Sequence, residues 1–258
     1  MLMKRIIKIN NTTIGSGKPK ICVPIVGRCN EDILNQIRSL RGKSYDMIEW
    51  RMDYYEDVFD SDKVKTIVES IRREIQDTIL LCTFRTKAEG GEKAIDNDRY
   101  IELYKTVIDT KVIDFIDIEL FIGEEVVKTL VEYAHNNNTY VIMSNHDFYK
   151  TPPKEEIIDR LITMQKLGAD IPKIAVMPIE TKDVLTLLTA TEEMNRKYAD
   201  RPIITMSMSS LGVISRISGE TFGSCITFGA GEQSSAPGQI EVDTLSYILD
   251  NISSHDKR

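Results

Sequence analysis

YVIMSNHDFYKTPPKEEIIDRLITMQKLGADIPKIAVM, residues 140 to 177, reads as one strand, one helix and a second strand. The end segments YVIMSNH and IPKIAVM are short and apolar almost throughout, as strands covered on both faces are. Between them Ile157, Ile158, Leu161 and Leu167 recur at helical spacing, with charges on the remaining faces. Thr151 with Pro152 and Pro153 offers a cap and a fixed φ where that helix should start, and Gly168 stands where it should stop. A strand, a helix and another strand in this order form the unit of a parallel sheet.

The same pattern extends in both directions. KICVPIV from 20, MIEWRM from 47, TILLCTF from 78 and VIDFIDIEL from 112 precede the unit, and PIITMSM from 202 and CITFGA from 225 follow it. With the two strands of the unit these make eight. Val64, Ile67, Val68, Ile71 and Ile75 mark another amphipathic helix between two of them. Eight such repeats in 258 residues describe an α/β chain folded as a (β/α)8 TIM barrel. The rival is an open doubly wound sheet, but VPIVGRCN is not the Gly-rich turn that a dinucleotide fold places after its first strand. RIIKINNTTIG, two short alternating runs around Asn10 and Asn11, reads as a hairpin that caps the barrel bottom. The expected organisation is one barrel domain over 1–258, with residues 1–19 as hairpin and linker.

Composition narrows the class. An apolar content of 41% suffices to fill a full core, and 33 basic against 40 acidic side chains leave a net charge of -7 without a basic run. Nucleic acid and anionic membrane are therefore poor partners. No apolar stretch approaches the ~20 residues that span a bilayer, and MLMKRIIKINN lacks the apolar core of a secretion signal. A cytoplasmic location is the expectation. Cys22, Cys29, Cys82 and Cys225 are widely spaced, three of them in strand-like runs, and read as reduced core residues. His135, His146 and His255 have no metal-ligand spacing with a cysteine or a carboxylate cluster, so a structural or catalytic transition metal is not expected.

In such barrels the reacting groups gather at the C-terminal ends of the strands. Here those ends carry Glu49 and Arg51, Arg85 followed by Glu89, Asp117 and Glu119, then Asn145, His146 and Asp147, and Lys173. Alternation puts Lys173 on one face with Ile171, Ala175 and Met177, and Ile174 and Val176 on the other. Taken alone it is readable as a lysine that snorkels out of a strand end. If it is buried, desolvation favours the neutral amine, the form that attacks a ketone to make a Schiff base. His146, one strand away, suits proton transfer near neutrality, and a carboxylate such as Glu89 is available to hold its ring in one tautomer. Arg51, Arg85 and Arg216 are the forks that suit a substrate carboxylate. Glu49 and Arg51, two apart on one strand face, imply a satisfied polar site.

In order and spacing, the segments EWRMD, TFRTKAEGGE, IDIELF, VIMSNHDF, KTPP, LGADIPKIAVMP, ITMSMSSLGVISR, FGSCITFG and SAPGQI resemble type I 3-dehydroquinate dehydratase, from about residue 20 to residue 241. The resemblance implies a metal-free, cofactor-free barrel, dimeric in the family, that dehydrates 3-dehydroquinate to 3-dehydroshikimate in the shikimate pathway by syn elimination through a covalent imine. It implies that Lys173 is the Schiff-base lysine, His146 the general acid/base and Glu89 the carboxylate orienting it. By the same matching Glu49, Arg51 and Arg85 line the pocket around the ring hydroxyls. Arg216, Ser235 and Gln239 match the clamp on the substrate carboxylate, and Met206, Met208, Phe228 and Ala236 its apolar wall. SAPGQI is then expected to close over bound substrate. The alternatives are a class I aldolase or transaldolase, which also uses a barrel lysine but adds a phosphate site after the last strands, and a non-catalytic barrel binding a small acid.

Overall fold

The interior faces of the strands change from apolar to polar along their length, and this change positions everything else. In the computed structural model, which describes residues 5–231 and 236–253, the strands are β1 (Ile7–Ile9), β2 (Thr12–Ile14), β3 (Lys20–Ile25), β4 (Met47–Arg51), β5 (Ile79–Thr83), β6 (Phe115–Glu119), β7 (Tyr140–Asp147), β8 (Ile171–Val176), β9 (Ile204–Ser207), β10 (Ile226–Ala230) and β11 (Ile240–Glu241). The helices are α1 (Asn30–Ser39), α2 (Ser61–Ile75), α3 (Asn97–Asp109), α4 (Glu124–Asn136), α5 (Lys154–Lys166), α6 (Thr181–Glu193), α7 (Val213–Ile217), α8 (Gly219–Phe222) and α9 (Val242–Ile252).

The large sheet runs in the order β11-β10-β3-β4-β5-β6-β7-β8-β9, all pairs parallel. A parallel bridge between Ile203 and Ser224 brings β9 back to β10 and closes the ring, reinforced by the Cys225 N–H donating to the Ile203 carbonyl at 2.9 Å. The chain is thus the expected α/β TIM barrel, its eight strands at the eight segments singled out above, with β11 an outside addition to β10.

Alternation sorts the apolar side chains into two layers. Cys22, Met47, Ile79, Phe115, Ile142, Ile171, Ile204 and Ile226 fill the barrel, while Val23, Ile48, Leu80, Ile116, Met143, Ile174 and Val176 face the helices. Helix α2 buries Val64, Ile67, Val68, Ile71 and Ile75 in that outer layer. At ~1.5–3 kcal/mol per fully buried side chain, this stripe outweighs its modest intrinsic propensity. Asp60 starts it by accepting from the Asp62 and Lys63 N–H groups. The hairpin β1-β2 turns at Asn10 and Asn11 and inserts Ile7 and Ile14 into the inner layer beside the first residues of the strands, so it caps the barrel bottom.

Two local expectations are corrected. Thr151 does not cap α5: the cap position is Pro153, and the Thr151 hydroxyl instead donates to the Met177 carbonyl at the end of β8. Glu155 and Glu156 in the first turn meet the helix dipole in its place. Cys29 is exposed ahead of α1 rather than in a core; Cys22 and Cys82 are buried, Cys225 is half-buried, and all four thiols are free. Gly168 does end α5, at φ +95°. Among the described residues no helix is long and apolar enough to cross a membrane.

Candidate active site

Two residues on from the apolar layer, the same inward positions become polar: Glu49 and Arg51 after Met47, Asp117 and Glu119 after Phe115, Ser144 and His146 after Ile142, and Lys173 after Ile171. These side chains meet at the C-terminal mouth of the barrel, where Glu49, Arg51, His146 and Lys173 line a cavity.

Lys173 does not snorkel, being only 3% exposed. Its Nζ donates to Asp117 Oδ2 at 2.9 Å and sits 4.6 Å from the centroid of the Phe228 ring. The lone buried amine that the strand pattern suggests is therefore half of an ion pair, and Asp117 is the partner that sequence reasoning left without a role. Burial alone would raise the Asp117 carboxyl, but the Arg85 guanidinium and the Lys173 ammonium together hold it well below the usual carboxylate range. Arg85 is the hub of this buried network. It donates to Asp117 Oδ1 at 2.8 Å, to Glu119 Oε1 at 2.9 Å and to Ser144 Oγ at 3.0 Å. Glu119 also accepts from the Thr86 N–H and hydroxyl. With three hydrogen-bond partners, and Glu89 Oε2 3.6 Å from Nη1, Arg85 lines the cavity as a bound charge, less available to a ligand than the sequence suggests.

Glu89 reaches His146 across the mouth. Its Oε2 lies 3.0 Å from the ring Nδ1 and accepts the His146 backbone N–H at 2.8 Å. An ionised carboxylate is an acceptor only, so Nδ1 carries the hydrogen and Nε2 keeps its lone pair for the cavity the ring lines. Burial, with Arg85 and Lys173 close by, pushes the imidazole well below its usual range, so it rests as a neutral base. Burial pushes Glu89 the other way, up to about 7, against the pull of Arg85. The turn that presents Glu89 depends on two glycines. Gly90 has φ +83° and a Cβ there would fall 2.4 Å from the Phe148 ring, while one on Gly91 would fall 1.9 Å from the Arg85 carbonyl. The EGG string is thus a packing requirement as well as a sequence mark.

Glu49 and Arg51 are both buried, but each finds another partner. Glu49 accepts from the Thr83 hydroxyl at 2.8 Å, and Arg51 makes a bidentate pair with Asp53 at 2.8 Å on both arms. Asp53 stands two residues beyond Arg51 in a single turn after β4, so the chain itself folds the acid back onto the fork.

Arg216 is different. It is 2% exposed, it donates to the Pro237 carbonyl at 3.0 Å, and among the described residues its Nε has no partner and no carboxylate pairs with it. Burial pushes it down to about 10. A buried guanidinium is costly unless an anion answers it. Met206, Met208, Phe228, Ala236 and Gln239 line the same cavity. Ser235 lies outside the described residues. Phe148 and Gly90, which also line the cavity, were not singled out, and an aromatic residue after a strand carries no signal by itself. His135 is remote, paired with Asp170 at 2.9 Å. Among the described residues no group of three or more His, Cys, Asp or Glu could hold a metal ion.

The sequence profile of the family described as Type I 3-dehydroquinase matches residues 21–256. The 3-dehydroquinate dehydratase of Clostridioides difficile is 54% identical over 247 residues, covering 96% of this chain and 97% of that protein. That of Bacillus subtilis is 52% identical over 245 residues, covering 95% and 96%. Among solved structures, the type I 3-dehydroquinate dehydratase of Clostridium difficile with covalently modified comenic acid superposes with a TM-score of 0.94 at 53% identity, over 96% of this chain and 98% of that one.

Proposed function

This chain belongs to the type I 3-dehydroquinase family, and from that premise we propose that it is a hydro-lyase that dehydrates 3-dehydroquinate to 3-dehydroshikimate through a covalent imine on Lys173. The observation that carries the imine reading is a buried amine sharing one cavity with a neutral, carboxylate-held imidazole and a buried guanidinium that no carboxylate among the described residues pairs with.

The chemistry follows from these groups. The substrate carboxylate pairs with Arg216, with Gln239 beside it and Ser235 assigned to the same clamp by the family match, and the ring lies against Met206, Met208, Phe228 and Ala236. Glu49, Arg51 and Arg85 border its hydroxyls. Lys173 passes a proton to His146, its nitrogen attacks the ring ketone, and the imidazolium returns that proton to the carbinolamine oxygen, which leaves as water to give a cationic imine. The positive charge of the imine forms on the nitrogen that already faces the Asp117 carboxylate at 2.9 Å and the Phe228 ring, so both stabilise it without rearrangement. The imine draws electrons from the adjacent C–H bond. His146 Nε2 takes that proton, the enamine expels the neighbouring hydroxyl, and the imidazolium returns the proton to the leaving oxygen. One imidazole serving both steps makes the elimination syn. Water then releases the product and restores the amine. Glu89 holds the ring so that Nε2 is the reacting nitrogen.

Family membership further implies a homodimer in the cytoplasm, with the chain acting as one barrel unit and no cofactor. No observation favours the aldolase alternative or a non-catalytic barrel. Borohydride reduction with 3-dehydroquinate present, followed by peptide mapping, tests the reading. A stable adduct on Lys173 is expected, absent in Lys173→Ala and partly kept in His146→Ala, which loses most turnover. An adduct on another lysine would overturn it.

A further inference from the structure

Asn145 and Arg160 have no part in the chemistry above, yet both are built into the support of Glu89. Along β7 the side chains alternate, so Ser144 and His146 turn into the barrel while Asn145 turns outward beneath α5, where it is buried. Its Nδ2 donates to Glu89 Oε1 at 3.1 Å, and its Oδ1 accepts from Arg160 Nη1 at 2.6 Å. Arg160, on α5, is held in turn by an ion pair to Glu156 one turn earlier, and its guanidinium lies 5.4 Å from the centroid of the Phe121 ring.

The chemical types decide the orientation of the amide. A guanidinium has donors only, so Asn145 must give Arg160 its oxygen, and its NH2 is left for Glu89. An NH2 group can only donate, which requires Glu89 to accept. We propose that Arg160, acting through the Asn145 amide, is a positioning residue that keeps Glu89 an ionised acceptor beneath His146. The inference rests on the acid/base roles proposed above.

The charged and titratable groups facing Glu89 are Arg85, with Nη1 3.6 Å from Oε2, the Glu119 carboxylate, and the His146 ring, beyond which stand Lys173, Asp117 and Arg51. Burial has already brought Glu89 up to about 7, so its state near neutral pH depends on the donors around it. Without Arg160 the amide is free to turn over and present Oδ1 to Glu89. That favours the protonated acid. That proton sits on Oε1, where Oδ1 accepts it, so Oε2 meets Nδ1–H only as a neutral carbonyl oxygen, and the imidazolium that forms during turnover loses the counter-charge that supports it. Loss of Arg160 therefore acts as an acid-side inhibition.

The test is the pH profile of kcat and KM for Arg160→Leu and Arg160→Lys, with His146→Ala alongside. In Arg160→Leu the acid limb of kcat should move up by about one pH unit, a ~10-fold loss on that limb, with KM unchanged. Lysine is also a donor-only group and should restore the limb. A profile in Arg160→Leu that matches the parent, or a uniform loss at every pH that lysine does not rescue, overturns the proposal. Near-parent turnover in His146→Ala would instead overturn the acid/base roles on which it rests.

Discussion

Glu89 shows how one side chain carries opposite demands of stability and chemistry. Its burial raises the carboxyl to about 7, whereas an unfolded chain leaves a glutamate near ~4.3. The folded state therefore binds more protons between those values, and stability falls as pH rises through them. A raised carboxyl contributes stability on the acid side and loses it as pH passes about 7. We expect Glu89→Gln to remove this dependence, so that at pH 8 the variant unfolds ~2–4 °C higher for each kcal/mol recovered while kcat drops. Thermal melts at pH 5 and pH 8 decide the matter; a variant less stable at pH 8 would contradict the reading. Asp117 has the opposite sign. Held below the usual range by Arg85 and Lys173, it contributes stability that is lost only as pH falls far into the acid.

Two glycines show what the elements ask of a single position. Gly90 follows the turn that carries Glu89, at φ +83° against Phe148, and Gly168 ends α5, at φ +95° with Val131 2.8 Å from where a Cβ would stand. An alanine at either place costs ~1–2 kcal/mol of backbone strain before any clash. The consequences differ because the two ends of a barrel strand differ. Gly90→Ala shifts Glu89 from Nδ1 of His146, so kcat should fall by ~10- to 100-fold, as for loss of a group supporting a reacting residue. Gly168→Ala should lower stability by ~1–3 kcal/mol in urea titrations with kcat unchanged at 25 °C. Equal kcat losses in both would show that the turn around Gly90 has no special link to the site.

At the scale of the molecule, the barrel separates a structural floor from a reactive mouth. The hairpin completes the floor by placing Ile7 and Ile14 against the inner apolar layer, where both are buried. Ile14→Ala leaves a void there and should cost ~2–5 kcal/mol of stability. KM and the yield of borohydride adduct should not change, since a whole apolar layer lies between Ile14 and Lys173. A changed KM would mean that floor and mouth are mechanically coupled.

The sequence by itself determined the eight parallel strands, because strands covered on both faces cannot hide their apolar runs, and it marked Lys173, His146 and Glu89 by their position at strand ends. It also carried the family, through strings long enough to identify it. Pairing was left to the tertiary structure. Asp117 and Lys173 are 56 positions apart, and Asn145 reaches both Glu89 and Arg160, so their contacts exist only once β6, β7, β8 and α5 are adjacent. Arg51 likewise looks paired with Glu49 by spacing but turns to Asp53 when the chain folds back. Local periodicity decides which face a side chain takes, whereas the choice among oppositely charged neighbours depends on distances that only the closed barrel sets.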